Sequence, residues 1–262
     1  MRQTTSCANK AKGENAGHPD VRSADRRLGT SSSFVVSLPQ TYRSITSISL
    51  VSAELAFSMY NIAEPYTTGI RFTHNASTYD MQLAPGFFTI DDLRATMLAL
   101  LQSAFPSAGV SAINYSTATA KLSIVYTSGL TFAVQSTSTG SLGRVVGTDP
   151  LGTATLATAG ALTFPNVAQL FPTSSLFIRI AELPSLTAST NQQHAFARIQ
   201  LSSAPGSIVM ANNASGVVNT NIYTTAIPSL SSLTVSLFSA DGYPVDLHGC
   251  DWCFTLALNC AA

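Results

Sequence analysis

Charge is scarce in this sequence: 10% of its 262 residues are Asp, Glu, Lys or Arg, against about 25% in an average soluble domain. Ser, Thr, Ala and Asn fill the gap. A polar surface with so few charges suits contact with other protein better than water on every side. No run of about 20 apolar residues exists, so no helical membrane span is expected. The first residues, MRQTTSCANKAKGENAGHPD, lack the apolar core of a secretory signal. Synthesis in a reducing cytoplasm follows as an expectation. Four cysteines, Cys7, Cys250, Cys253 and Cys260, are too few to staple a chain of this length, so buried thiols are expected.

Chemistry-bearing patterns are equally scarce. His248, Cys250 and Cys253 lie close in sequence, and Cys-x-x-Cys with a nearby His can hold zinc. Strand geometry opposes it. In an extended 250–260, Cys250, Trp252, Phe254, Leu256, Leu258 and Cys260 share one face, and Cys253 points away with Asp251 and Thr255. A second ligand pair is also missing. The histidines His18, His74, His194 and His248 are scattered, no Gly-x-Ser-x-Gly nucleophile turn occurs, and phosphate-cradling glycine motifs are absent. Gly140 and Gly143 read as turn glycines. Glu54, Glu64, Glu182 and Asp246 show no spacing that selects a glycosidase pair. The sequons at Asn75, Asn114 and Asn213 are chance matches if no secretory route exists. No catalytic residue, cofactor or metal site is expected.

What the chain does contain is the period of two. Tyr79, Met81 and Leu83 alternate with Asp80 and Gln82, and Leu122, Ile124 and Tyr126 with Lys121 and Ser123. The same spacing links Leu130, Phe132 and Val134, then Leu176, Ile178 and Ile180, then Leu233, Val235 and Leu237. Such alternation buries one face of an antiparallel sheet and predicts a sandwich or barrel. One segment departs from it. Leu93, Met97, Leu100, Leu101 and Ala104 recur at helical spacing, Thr89 and Asp92 form a capping-box variant, and Pro106 closes the run. A helix is predicted over about 90–104, packed on the sheet. The Gly-, Thr- and Ala-rich stretch 140–160 shows no period and reads as a long surface loop.

Residues 1–30 form a polar arm with almost no large apolar side chain, unable to order alone. Within 1–27, Arg2, Lys10, Lys12, Arg22, Arg26 and Arg27 face three acids, while the rest of the chain carries ten acids against seven bases. This density is too low for nucleic acid, whose binding draws on many phosphate contacts. Docking of these six cations on an acidic neighbouring subunit is expected. Deletion of 1–27 should then leave a folded domain over 31–262.

Two blocks carry a resemblance. The first joins Asp25-Arg-Arg, Ser33–Pro39, Ile45–Leu55 and Tyr60-Asn61; the second joins Leu233–Phe238, Asp241–Asp246 and Gly249–Leu258. Between them lie Pro85-Gly-Phe-Phe-Thr-Ile, Phe177–Leu183 and His194–Leu201. Together they resemble the jelly-roll penton and minor capsid proteins of nucleocytoplasmic large DNA viruses. The resemblance implies a single antiparallel jelly-roll β-sandwich over 31–262, with the helix inserted and the arm extended. It implies a structural capsid protein and no enzyme, most specifically the penton of five-fold vertices, or alternatively an internal minor capsid protein. Homopentamers, contacts with the major capsid protein, assembly in the host cytoplasm and residence in the virion belong to the same expectation. Two departures, the longer leader and an apparent insertion within a loop near 140–165, bear on position in the shell. Tyr60, Tyr66 and Phe171 are candidate contact anchors. A glycan- or receptor-binding jelly roll would instead expose Trp and Tyr on one face, whereas Trp252, the only tryptophan, sits in an apolar alternation.

Overall fold

Alternating runs become strands wherever their apolar face finds a partner, and in this computed structural model they do so almost throughout. The structure describes residues 15–63, 68–75, 77–127, 131–136, 142–148, 155–157, 160–171, 174–183, 187–189, 192–212, 220–240 and 242–261. Two compact units result: Met1–Met59 with Thr173–Ala262, and Tyr60–Pro172. The first unit opens with β1 (Asn15–Gly17), β2 (Asp20–Arg22), β3 (Leu28–Gly29) and β4 (Ser33–Ala56). The second holds β5 (Gly69–His74), β6 (Ser77–Gln82), α1 (Ile90–Ala104), β7 (Val110–Ser116), β8 (Lys121–Tyr126), β9 (Phe132–Ser136), α2 (Leu142–Val146), β10 (Thr155–Ala157) and β11 (Ala161–Thr163). The chain then returns to the first with β12 (Ser175–Ile180), β13 (Thr187–Ser189), β14 (Gln192–Ala195), β15 (Ala197–Gln200), β16 (Ile208–Asn212), β17 (Thr220–Ser239) and β18 (Cys253–Cys260).

The first unit is built on a nine-stranded antiparallel sheet ordered β1-β18-β4-β17-β12-β15, with β2 also on β18, and β3 and β16 also on β4. Its spine is β4, 24 residues long. Such length forces the strand to bend, and the register against β17 shifts between Ile222 and Ile227 and between Leu230 and Ser232, as bulges require. Phe34, Val36, Ile45, Ile48, Leu233 and Val235 are buried here. The class expected from the alternation is the one observed, an all-β antiparallel jelly-roll-like sandwich.

The second unit carries two sheets, β10-β9-β5-β6 and β11-β8-β7. The expected helix is α1 in full. Asp92 N donates to Thr89 Oγ1 (3.2 Å) and Thr89 N to Asp92 Oδ2 (3.3 Å), closing the capping box. Leu93, Met97 and Leu101 are buried in the unit's core, while Arg94 Nε and Gln102 Nε2 donate to the β7 carbonyls of Ile113 and Val110. Thr89→Ala removes the Oγ1 that accepts from Asp92 N and donates to Asp92 Oδ2, and should lower stability by about 0.5–2 kcal/mol, read as a shifted urea midpoint with unchanged slope.

The stretch read as a surface loop is corrected by its described part. Leu142, Val145 and Val146 are fully buried on α2, and 155–157 and 161–163 are strands. Gly143 is no turn glycine either: it lies inside α2, where a Cβ would run into Ser136 Oγ and Thr148 Oγ1, which bond each other. Five helical residues are too short to show a period of 3.6, so this apolar cluster was invisible as a pattern. Gly140 and Leu130 lie outside the described residues.

Candidate functional site

The described part of the polar leader, from Asn15 on, lies along the sheet. From Asn15 onward it runs antiparallel along β18, Asn15 opposite Cys260 and Gly17 opposite Leu258, then Asp20 opposite Thr255 and Arg22 opposite Cys253. Over 15–22 the extended arm is therefore held by its own chain and needs no neighbour to order it. Backbone pairing needs no apolar side chain, so a polar composition does not exclude it. Val21, 2% exposed, is its one large apolar contribution among the described residues, and Gly17 lets it lie flat because a Cβ there would strike the Tyr42 ring.

A lock follows the paired segment. Ser23, fully buried, donates to Asp251 Oδ1 (2.8 Å) and accepts from Trp252 N (2.9 Å). Arg26 Nη1 reaches the same Asp251 oxygen at 2.7 Å and the Ser23 carbonyl at 2.8 Å. The Trp252 ring stacks on Phe254 at 5.0 Å, meets Phe34 edge-on at 6.0 Å and donates Nε1–H to Ser31 O at 2.7 Å. Trp252 is thus an internal anchor, as the alternation implied.

Of the six cations assigned to inter-subunit contact, Arg2, Lys10 and Lys12 lie outside the described residues. Arg22 pairs with Asp20 at 2.9 Å, Arg26 with Asp251, and Arg27 Nη1 donates to Ser37 Oγ at 3.2 Å. The chain's own polar groups therefore already engage these three arginines. Leu28 beside them is 71% exposed.

The cysteine pattern holds from Trp252 to Cys260, where buried and half-buried residues alternate. Cys250 needs correction: it sits in the turn before β18, because His248 (φ 51°) and Gly249 (φ 80°) take left-handed backbone and break the extension. Cys250 and Cys253 are free thiols. Burial pushes the Cys253 thiol up, with Glu54 and Asp20 adding to it and Arg22 opposing. Alkylation of Cys253 by iodoacetamide should accordingly set in at higher pH than that of an unperturbed thiol, near 8.5, as peptide mass spectrometry across a pH series would show. Cys7 lies outside the described residues.

The remaining polar candidates are separately engaged. Glu182 accepts from Thr234 N (2.8 Å) and Thr234 Oγ1 (2.6 Å), and Asp246 accepts from His248 N at 2.7 Å. His74 is buried against the rings of Phe105 and Phe132. His18 and Glu54 are exposed, as are Asn75 and Asn114. Glu64, Tyr66, Asn213 and the His194 side chain lie outside the description. Among the described residues no three His, Cys, Asp or Glu side chains gather as metal ligands, and no helix is long and apolar enough to cross a membrane. Phe171 packs on Phe87 at 5.6 Å, and Tyr60 is 41% exposed.

A feature that sequence reasoning missed is an open edge. β16 pairs with β4 over 52–56, and β17 begins on the same side of β4 at Ser49. β12 covers β17 only over 235–239. Ile208, Met210 and Ile222 are exposed by 66, 66 and 69% along this line. Tyr223 beside Ile222 has a buried hydroxyl with no hydrogen-bond partner among the described residues, and burial pushes its pKa up to about 12. The available signal was an absence: no charged side chain occurs from Ile199 to Ala240.

The antiparallel sandwich, with its leader paired along β18, is jelly-roll-like in fold. The crystal structure of the mavirus penton protein superimposes on it with a TM-score of 0.52 over 96% of this chain and 100% of that one, at 11% sequence identity. The likeness is one of fold. No family model matches the sequence, and no curated protein matches it.

Proposed function

We propose that this protein is a structural, non-enzymatic subunit of an icosahedral viral shell, and specifically the penton of a large DNA virus. The observation that carries the proposal is the likeness in fold to a penton protein, which extends over 96% of this chain and 100% of that one. The 10% charge content supports it, since contact surfaces are depleted of charge at their centres. In this reading five copies close a ring through heterologous contacts, their outer flanks meet the major capsid protein, and assembly takes place in the host cytoplasm before residence in the virion. Of the six leader cations, Arg2, Lys10 and Lys12 face a neighbouring subunit, while Arg22, Arg26 and Arg27 are engaged within their own chain. Residues 31–262 act as one domain, so limited proteolysis should leave a single resistant fragment, with no nick near 60 or 172.

Cryo-electron microscopy of the shell is the test. Density for this chain at the five-fold vertices is the expected result. Density beneath the major capsid lattice would replace the penton with an internal minor capsid protein, and absence from purified particles would end the capsid reading.

A further inference from the structure

An antiparallel strand directs alternate residues' backbone groups to opposite sides. Phe57 N donates to Ser207 O at 2.9 Å, which sets the phase for β16: Val209 and Ala211 bond toward β4, and the N–H and C=O of Met210 point away from it. Beyond β16, the first half of β17 has no strand on its outer side among the described residues. Natural sheets protect such edges with charged side chains, proline or covering elements. This edge has one proline, Pro228, and no charge, and it displays Ile208, Met210 and Ile222. Next to Ile222, Tyr223 carries a buried hydroxyl with no hydrogen-bond partner among the described residues. An edge built this way is built to be covered.

The leader leaves the sheet on the opposite side, in the same row. Asn15 lies opposite Cys260, Cys260 opposite Ile45, and Ile45 opposite Ile227, three strand spacings or about 14 Å across. Residues 1–14 precede Asn15, and at full extension they span up to about 50 Å. They contain no proline and no large apolar residue other than Met1, which suits a strand held by main-chain bonds.

We propose that the open edge formed by residues 208–211 and the start of β17 accepts residues 1–14 of a second copy of this chain as an added strand. With donor and acceptor on opposite sides of one sheet, each copy gives to the next, a head-to-tail contact that repeats around a ring. This deepens the shell-subunit reading and rests on it for the ring, but the contact is tested on the purified protein.

Two differently isotope-labelled batches of full-length protein, each with p-benzoylphenylalanine in place of Met210, are mixed and irradiated. Mixed-isotope cross-links from position 210 to peptides within 1–14 are expected. Sedimentation should show that Met210→Pro, which deletes only an outward N–H, converts the oligomer to monomer while circular dichroism stays native. Ile222→Lys and deletion of 1–14 should do the same. Cross-links confined to one isotope, cross-links to other segments, or a wild-type chain that is monomeric at every concentration would overturn the proposal. A truncated chain lacking 1–14 that still occupies five-fold vertices would also overturn it, and would leave the shell reading intact.

Discussion

Removing residues 1–27 leaves a chain that unfolds at a markedly lower urea concentration, whereas removing residues 1–14 leaves stability unchanged. Composition alone suggests the opposite for the longer deletion, because a polar arm contributes little core. The structure assigns the difference to residues 15–27. Val21 is 2% exposed, and withdrawing such a side chain from the core costs about 1.5–3 kcal/mol. The Ser23 bonds to Asp251 and Trp252 N add about 0.5–1.5 kcal/mol each. Deletion also strips β18 of β1 and β2 and makes it an edge. The total is at least about 3 kcal/mol of the roughly 5–15 that a domain possesses. Urea titrations of both truncations give the answer, and coincident midpoints would refute this account of the leader.

The second large effect is expected at Trp252. Its ring is 3% exposed, stacked on Phe254 and edge-on to Phe34, and replacing a buried aromatic of this size with alanine costs about 3–5 kcal/mol. Trp252→Phe separates packing from hydrogen bonding: it keeps an aromatic ring but leaves the Ser31 carbonyl without its donor, a loss of about 1–3 kcal/mol. Both variants lose the only indole, so circular dichroism rather than fluorescence must follow unfolding. A Trp252→Ala protein with a wild-type midpoint would mean that the lock contributes nothing.

These two predictions also mark where sequence was informative. The strands around Leu122, Leu176 and Leu233, the helix with its Thr89–Asp92 cap, and the inward face of Trp252 were all legible, because a repeating apolar side chain announces each. The pairing of Asn15–Gly17 and Asp20–Arg22 was not, since three-residue strands stabilised through the backbone repeat nothing. The α2 cluster was too short for its period to show. Cys250 was misplaced because the left-handed His248 and Gly249 turn the chain immediately before it, and the extended run starts only beyond it. The division at 60 and 172 had no composition signal. The open edge was readable only as missing charge, whose position against β4 required the register.

The 24-residue β4 has a temporal consequence. Its partner β18 begins about 200 residues after β4 ends, so at roughly 5–20 residues per second the ribosome delivers that partner some 10–40 s later. Until β17 emerges the spine of the sheet is a nascent strand open along most of both flanks, and the flank that β18 covers stays open until Cys253–Cys260 is made. Premature termination anywhere before Cys253 would therefore yield a chain that cannot close its sheet, and quality control would meet it as an unpaired template rather than as a smaller working subunit.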